Sequence, residues 1–170
     1  GDFMVGSLMF NAFFGVPELQ ILNSLGWDVL CLGNHDFDAG PVQLAGILAQ
    51  AGLDSGFNVI STNAVNLDSV PALKAVVRPF AVEQRGNVKI GFIGLTTPST
   101  NVESNPAPIL LSDQIPQILG ESITDLKMQG CQVVILVSHL GLTLDREIAA
   151  GLAGVDAIIS GHSHDTTGQP

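Results

Sequence analysis

The sequence WDVLCLGNHDFD at residues 27–38 is the most informative stretch of the chain. Its first half is short and apolar, which is typical of a strand buried on both faces of a sheet. Its second half begins at Gly33 and supplies an amide, an imidazole and two carboxylates. These groups can bind a metal ion or exchange a proton. The sequence therefore predicts a reactive loop directly after a buried strand.

The same layout occurs at two later points of the chain. The apolar run 132–138 is followed by His139, and the run 155–160 is followed by the sequence GHSH at 161–164. All four histidines of the chain therefore lie just past the carboxyl ends of predicted strands. In a parallel sheet these ends open onto one crevice. We therefore expect the three loops to form a single site.

The rest of the pattern predicts an α/β fold with a mixed sheet. Helices are expected at 17–25, 41–51, 114–129 and 142–152, and Pro or Gly marks an end of the first three. Ser112 or Asp113 is expected to cap the third helix. A hairpin is expected over 79–95, and 97–108 is expected to be a long surface loop. Strands alternating with helices indicate a partly parallel sheet covered by helices, and we assign 1–170 to one domain.

Composition narrows the classes of function. A content of 46% hydrophobic and 13% charged residues excludes a disordered chain. The net charge of -10 argues against a nucleic-acid polymer as partner, because no basic patch can be assembled. A small phosphorylated substrate stays compatible, since a bound cation can invert the local field. We see neither a signal peptide nor an apolar run of the roughly 20 residues that span a bilayer.

Histidine, asparagine and aspartate side chains together suit a zinc, iron, manganese or cobalt ion. A lone histidine at a strand end is more often a hydrogen-bonded loop residue than a ligand. Four histidines at one edge of a sheet favour a metal site instead. Cys31 and Cys131 lie in apolar runs and are expected to fill the core, so a closed structural zinc site is not expected.

Three motifs together resemble the calcineurin-like binuclear metallophosphoesterases: GNHDFD at 33–38, SHLG at 138–141 and GHSH at 161–164. Within that family the chain is most similar to the catalytic domain of bacterial 5′-nucleotidases and their cyclic-nucleotide phosphodiesterase and nucleotide-sugar hydrolase relatives. The opening Gly1-Asp2 is similar to the end of the family's Gly-Asp element. The resemblance implies a sandwich of mixed β-sheets with flanking helices, here without the family's first strand.

The resemblance also implies a role for each site residue. Two divalent ions (zinc, manganese, iron or cobalt) would be held by Asp2 as the bridging carboxylate, by Asn34, His139 and His162 at one ion, and by His164 at the other. His35 would be the catalytic histidine, oriented by Asp38, and Asp36 need not contact a metal. A hydroxide bridging the ions would attack the phosphorus of a nucleotide, either a 5′-monoester or a 2′,3′-cyclic diester.

Departures from the family pattern leave alternatives open. The family's first Asp-x-His element is absent from this sequence, which would leave the second ion with Asp2 and His164 alone. The chain could therefore be a non-catalytic metal-binding fragment. A nucleotide-sugar or sulfur-ester hydrolase is another alternative, although the pairing of His35 with Asp38 favours a nucleotidase. The resemblance further implies a C-terminal substrate-specificity domain in the parent protein and a periplasmic or extracellular location.

Overall fold

The computed structural model describes residues 1–4, 8–54, 56–151 and 153–166. The α-helices in these ranges are Leu8–Phe13 (α1), Val16–Ser24 (α2), Pro41–Ala51 (α3), Pro71–Lys74 (α4), Thr100–Glu103 (α5), Ile115–Met128 (α6) and Leu142–Gly151 (α7). The strands are Val29–Cys31 (β1), Asn58–Ile60 (β2), Ala64–Val65 (β3), Val77–Arg78 (β4), Phe80–Arg85 (β5), Val88–Thr96 (β6), Leu110–Leu111 (β7), Val133–His139 (β8) and Ala157–Ile159 (β9). None of the described helices is long and apolar enough to cross a membrane.

Two main sheets form the centre of the fold. The first is parallel, with the order β1-β2-β4, and the second has the order β5-β6-β8-β9. In the second sheet, β5 and β6 form an antiparallel hairpin, whereas β6, β8 and β9 run parallel. A small antiparallel pair, β3 with β7, lies beside them. The predicted α/β fold with mixed sheets is therefore confirmed.

The two main sheets pack face to face and are covered by helices on their outer faces. A small buried cluster of Cys31, Ile60 and Ala81 lies between the sheets, with Val29, Phe92 and Val137 packed against it. A larger cluster joins the first sheet to α2, α3 and α4. Another joins the second sheet to α6 and α7. Burial of these apolar faces on both sides of each sheet explains why the strands read as continuous apolar runs.

Several boundaries and connections differ from the prediction. Helix 41–51 and the hairpin are found as expected. The expected surface loop at 97–108 instead contains α5, and its Thr100 is fully buried. Gln114, rather than Ser112 or Asp113, is the N-cap of α6, and the Ser112 hydroxyl accepts a hydrogen bond from the Gln114 backbone N–H. His139 is the last residue of β8 rather than the first residue after it.

Gly94 on β6 allows the two sheets to approach closely. A Cβ atom at this position would lie 2.6 Å from Cγ1 of Ile60 on β2 and 3.1 Å from the Ile60 carbonyl oxygen. Contacts this short force the backbones apart, because a packed core tolerates little extra volume. The absence of a side chain at Gly94 thus sets the distance between the sheets.

We expect Gly94→Ala to lower the free energy of unfolding by about 1–3 kcal/mol, the usual cost of overpacking a core. Urea unfolding followed by circular dichroism measures the change. Gly46→Ala is the matched control, because a Cβ at this exposed position of α3 would meet no atom within 4 Å. The control should gain up to about 1 kcal/mol from helix propensity. Equal stability of Gly94→Ala and the unchanged protein would contradict this account of the sheet spacing.

Candidate metal centre

Four side chains that the sequence predicted as ligands meet at one point of the fold. Oδ1 of Asn34 lies 3.1 Å from Nε2 of His139 and 3.1 Å from Nδ1 of His162. Oδ2 of Asp2 lies 2.9 Å from the same His139 nitrogen. The ligand atoms of Asp2, His139 and His162 all lie within 4.8 Å of one another. Oxygen and nitrogen donors from four separate parts of the chain therefore converge.

Strand pairing explains how these distant residues come together. Thr96, the last residue of β6, is the register partner of His139 at the end of β8. The Thr96 hydroxyl donates a hydrogen bond of 2.8 Å to the carbonyl of Leu32, which follows β1 in the other sheet. Strand β9 runs parallel to β8, so the loop that carries His162 emerges at the same edge. The carboxyl ends of β1, β6, β8 and β9 thus form one rim.

Asp36 connects the two segments that carry Asp2 and Asn34. Its fully buried carboxylate accepts hydrogen bonds from the backbone N–H groups of Gly33 at 2.8 Å, Asp2 at 3.1 Å and Met4 at 3.3 Å. Burial raises the pKa of Asp36 to about 6, against the opposing effect of the hydrogen bonds from Gly33 and Asp2. The sequence reasoning gave Asp36 no role beyond its place in the motif. Its contacts make it the residue that positions the chain around the site.

Electrostatics favour the protonation states that a metal site requires. Burial alone would raise the pKa of Asp2, but the hydrogen bond and charge of His139 and the backbone N–H of His35 hold that pKa below its usual value. Burial, with repulsion from His139, lowers the pKa of His162. An ionised carboxylate and a neutral imidazole are the forms that bind metal ions.

His35 and Asp38, the predicted catalytic pair, lie beside this group. Nδ1 of His35 is 2.8 Å from Oδ2 of Asp38, and the Ser104 hydroxyl donates a hydrogen bond of 2.7 Å to Oδ1 of Asp38. The hydrogen bond with Asp38 raises the pKa of His35. With Nδ1 engaged, Nε2 is the ring nitrogen that the described hydrogen bonds leave available. The sequence reasoning missed Ser104, which lies in the supposed surface loop and carries no motif of its own.

His164 is placed differently from the other predicted ligands. It is exposed, and its backbone has a φ of 54°, whereas His162 two residues earlier has a φ of 84° and is half-buried. Among the residues that the structure describes, the one group of side chains spaced for a metal ion contains His162 and not His164. The left-handed backbone at both positions turns the loop, so the two rings do not simply alternate as they would along a strand.

The donors fit a divalent metal ion. Two ligands that are each about 2.1 Å from an ion lie roughly 3.0–3.4 Å apart in octahedral or tetrahedral geometry. Three contacts, from Asn34 to each imidazole and from Asp2 to His139, are 2.9–3.1 Å long and lie near the short end of this range. Nδ1 of His139 is buried without a hydrogen-bond partner among the described residues. The polar contacts of the ring are therefore made by Nε2, which faces Asn34 and Asp2.

Comparison with known proteins agrees with this geometry. The sequence profile of the calcineurin-like phosphoesterases matches residues 2–166, which include every loop of the site. The chain belongs to this family. It is 34% identical, over its whole length, to a snake venom 5′-nucleotidase of Gloydius brevicauda, of which it covers 29%. The resemblance drawn from the three motifs is therefore confirmed.

Solved structures of the family have the same fold. The 5′-nucleotidase precursor of Thermus thermophilus matches with a TM-score of 0.85 and 36% identity, over 94% of this chain and 30% of that one. The NAD nucleotidase of Haemophilus influenzae matches with a TM-score of 0.83 and 31% identity, over 96% of this chain and 28% of that one. The chain thus spans less than a third of the length of these relatives.

Replacing Asp38 with Asn should lower the pKa of His35 towards its ordinary value, because the charge that favours the imidazolium is lost. NMR titration of the His35 ring in the metal-free protein measures this pKa. A raised folded-state pKa stabilises the fold below 6.5, the ordinary histidine value, and the contribution is lost as pH rises through the folded pKa. The variant should therefore show a weaker fall in stability over this window.

Asp68→Asn is the control for this experiment. Asp68 is an exposed acid that pairs with Lys74 in a different part of the chain. Its replacement removes the same charge and should leave the titration of His35 unchanged. An unaltered His35 titration in the Asp38 variant would show that the pair does not control the imidazole.

Proposed function

We propose that this protein hydrolyses phosphate esters of nucleotides, with a divalent metal ion held by Asp2, Asn34, His139 and His162. The observation that carries the proposal is the convergence of these four donors beside the pair formed by His35 and Asp38. Membership of the calcineurin-like phosphoesterase family supports phosphoester chemistry. The names of the relatives, 5′-nucleotidase and NAD nucleotidase, support nucleotides as the substrate class.

In this proposal each residue of the site has a separate chemical role. A bound divalent ion supplies Lewis acidity towards a phosphoryl oxygen and lowers the pKa of a coordinated water. Asn34 contributes a neutral oxygen, and His162 contributes a neutral imidazole because its pKa is lowered. His35 stabilises the phosphoryl charge or protonates the leaving oxygen through Nε2. Asp38 fixes the ring through Nδ1.

The proposal includes a second ion that would share Asp2 and take His164 as a further ligand. Oδ1 of Asp2 accepts a hydrogen bond of 2.9 Å from the His35 backbone N–H, while Oδ2 faces His139. The two carboxylate oxygens therefore have different surroundings, and Asp2 would be the residue shared between the two ions. His164 is exposed in the loop that also carries His162, and further ligands would be needed to complete the coordination of the second ion.

We extend the proposal to the whole protein. The curated relatives are more than three times as long as the part that this chain matches, which supports a further domain that selects the nucleotide. A periplasmic or extracellular location is proposed, supported by the similarity to a venom enzyme. Substrate would be a nucleotide 5′-monophosphate, with the 2′,3′-cyclic diester as the other candidate.

Metal removal and replacement test the centre. We expect dialysis against EDTA to yield a folded protein, and titration with Mn²⁺ in a calorimeter to give saturable binding. His139→Ala should weaken the binding by at least tenfold, because a buried ligand is lost. A stoichiometry of two ions supports the binuclear proposal, whereas one ion supports the mononuclear group alone. Identical isotherms for the variant and the unchanged protein would refute the assigned centre.

Activity measurements test the role of His35. We expect hydrolysis of AMP to depend on added Mn²⁺, and His35→Ala to lower kcat by about 10²–10⁴-fold, the usual effect of a general acid–base residue. Metal content measured in the same samples should persist. Loss of metal in proportion to activity would make His35 a ligand instead. Hydrolysis of 2′,3′-cyclic AMP to a 2′- or 3′-monophosphate, with no phosphate released from 5′-AMP, would reassign the substrate.

A further inference from the structure

Asp145 is a buried acid that lies outside the group of metal donors. It belongs to α7, and only 4% of its surface is exposed. Oδ1 accepts a hydrogen bond of 2.5 Å from the hydroxyl of Ser138, and Oδ2 accepts one from the hydroxyl of Ser160. None of the ion pairs in the described part of the chain includes Asp145. Each oxygen of this buried carboxylate thus accepts a hydrogen bond from a different serine.

These serines flank the histidines of the proposed metal centre. Ser138 directly precedes His139, and its hydroxyl also accepts a hydrogen bond of 3.1 Å from the backbone N–H of Leu140. Ser160 ends the apolar run of β9 and stands two residues before His162. One carboxylate therefore fixes the ends of two neighbouring strands at the points where their histidines leave the sheet.

The loop that carries His162 needs such an external restraint. The backbone of His162 has a φ of 84°, in the left-handed region that non-glycine residues rarely adopt because it is strained. The residue after it, Ser163, accepts a hydrogen bond of 3.0 Å from the backbone N–H of Leu142, the first residue of α7. Helix α7 thus holds the loop on both sides of His162, through Ser160 and Ser163.

We propose that Asp145 is a positioning residue for the metal centre, which sets the distance and angle between the rings of His139 and His162. These ring centroids lie 5.0 Å apart, with the planes inclined by 57°. Burying a carboxylate without a cation is costly, and a well-packed apolar side chain would serve a purely structural helix better. The cost is understandable where the two loops must be held in one arrangement. The inference rests on the proposed function, since it concerns a centre that binds metal.

The test uses Asp145→Ala, Asp145→Asn and a matched control, Asp156→Ala. Oδ2 of Asp156 accepts a hydrogen bond of 2.8 Å from the backbone N–H of Val134. This carboxylate therefore also joins β8 to β9, but at the opposite end of the strands from the histidines. Each protein is freed of metal, titrated with Mn²⁺ by calorimetry and unfolded with urea.

We expect Asp145→Ala to weaken Mn²⁺ binding roughly 10–100-fold, the effect of removing a group that orients ligands. Asp145→Asn should recover most of the affinity, because an amide can still accept from one serine and donate to the other. Asp156→Ala should lose stability in urea while its Mn²⁺ affinity stays unchanged. Parent-like affinity in Asp145→Ala, or an equal loss of affinity in the Asp156 control, would overturn the inference.

A second readout does not depend on metal. In the metal-free parent, nuclear Overhauser effects between the rings of His139 and His162 should be observed, and they should weaken in Asp145→Ala but persist in Asp156→Ala. If Asp145→Ala does not fold, Ser160→Ala, which removes one of the two hydroxyls, replaces it in both measurements. Absence of Mn²⁺ binding by the parent would refute the proposed function, while the ring contacts would still decide the role of Asp145. Unchanged ring contacts in the folded variant would refute that role.

Discussion

The contact of the Asn34 amide oxygen with two imidazoles is the constraint on which the site depends. Its partners lie 105 and 128 residues further along the chain, His139 at the end of β8 and His162 in the loop after β9 of the other sheet. The contact exists only if the two sheets are packed at the right distance and end at the same level. The close approach at Gly94 sets the distance. The hydrogen bond from Thr96 to the carbonyl of Leu32 aligns the ends. The geometry of the site therefore depends directly on how the two sheets pack.

Two buried carboxylates hold the loops around this contact without being part of it. Asp36 accepts hydrogen bonds from backbone N–H groups of the segments that carry Asp2 and Asn34. Asp145 accepts hydrogen bonds from the serine hydroxyls near His139 and His162. Both accept hydrogen bonds from uncharged donors, which are backbone N–H groups at Asp36 and serine hydroxyls at Asp145. These hydrogen bonds hold the loops in one arrangement around the metal donors.

The sequence predicted those features that have a local cause. Proline and glycine at helix ends gave α3 its correct bounds, and the turn at 85–87 gave the hairpin. The joining of apolar runs to histidines predicted which loops would meet. Strands β3 and β7 were not predicted, because two residues are too few to show the alternation of apolar and polar residues that marks a strand. The position of Ser104 against Asp38 depends on packing across 66 residues. The burial of Asp145 could have been predicted from the sequence, because Asp145 lies three residues from both Leu142 and Ile148 and so shares the apolar face of α7.

The proposed function requires a strongly acidic chain to attract an anionic substrate. The formal net charge is -10, and the described donor group adds one carboxylate, Asp2, to three neutral ligands. A divalent ion in this group would therefore carry more charge than its one carboxylate ligand cancels, which would favour a bound phosphate at the rim. A ligand set with more carboxylates would cancel this charge. The use of asparagine and histidine in place of acids thus follows from the need to attract both the cation and the phosphate.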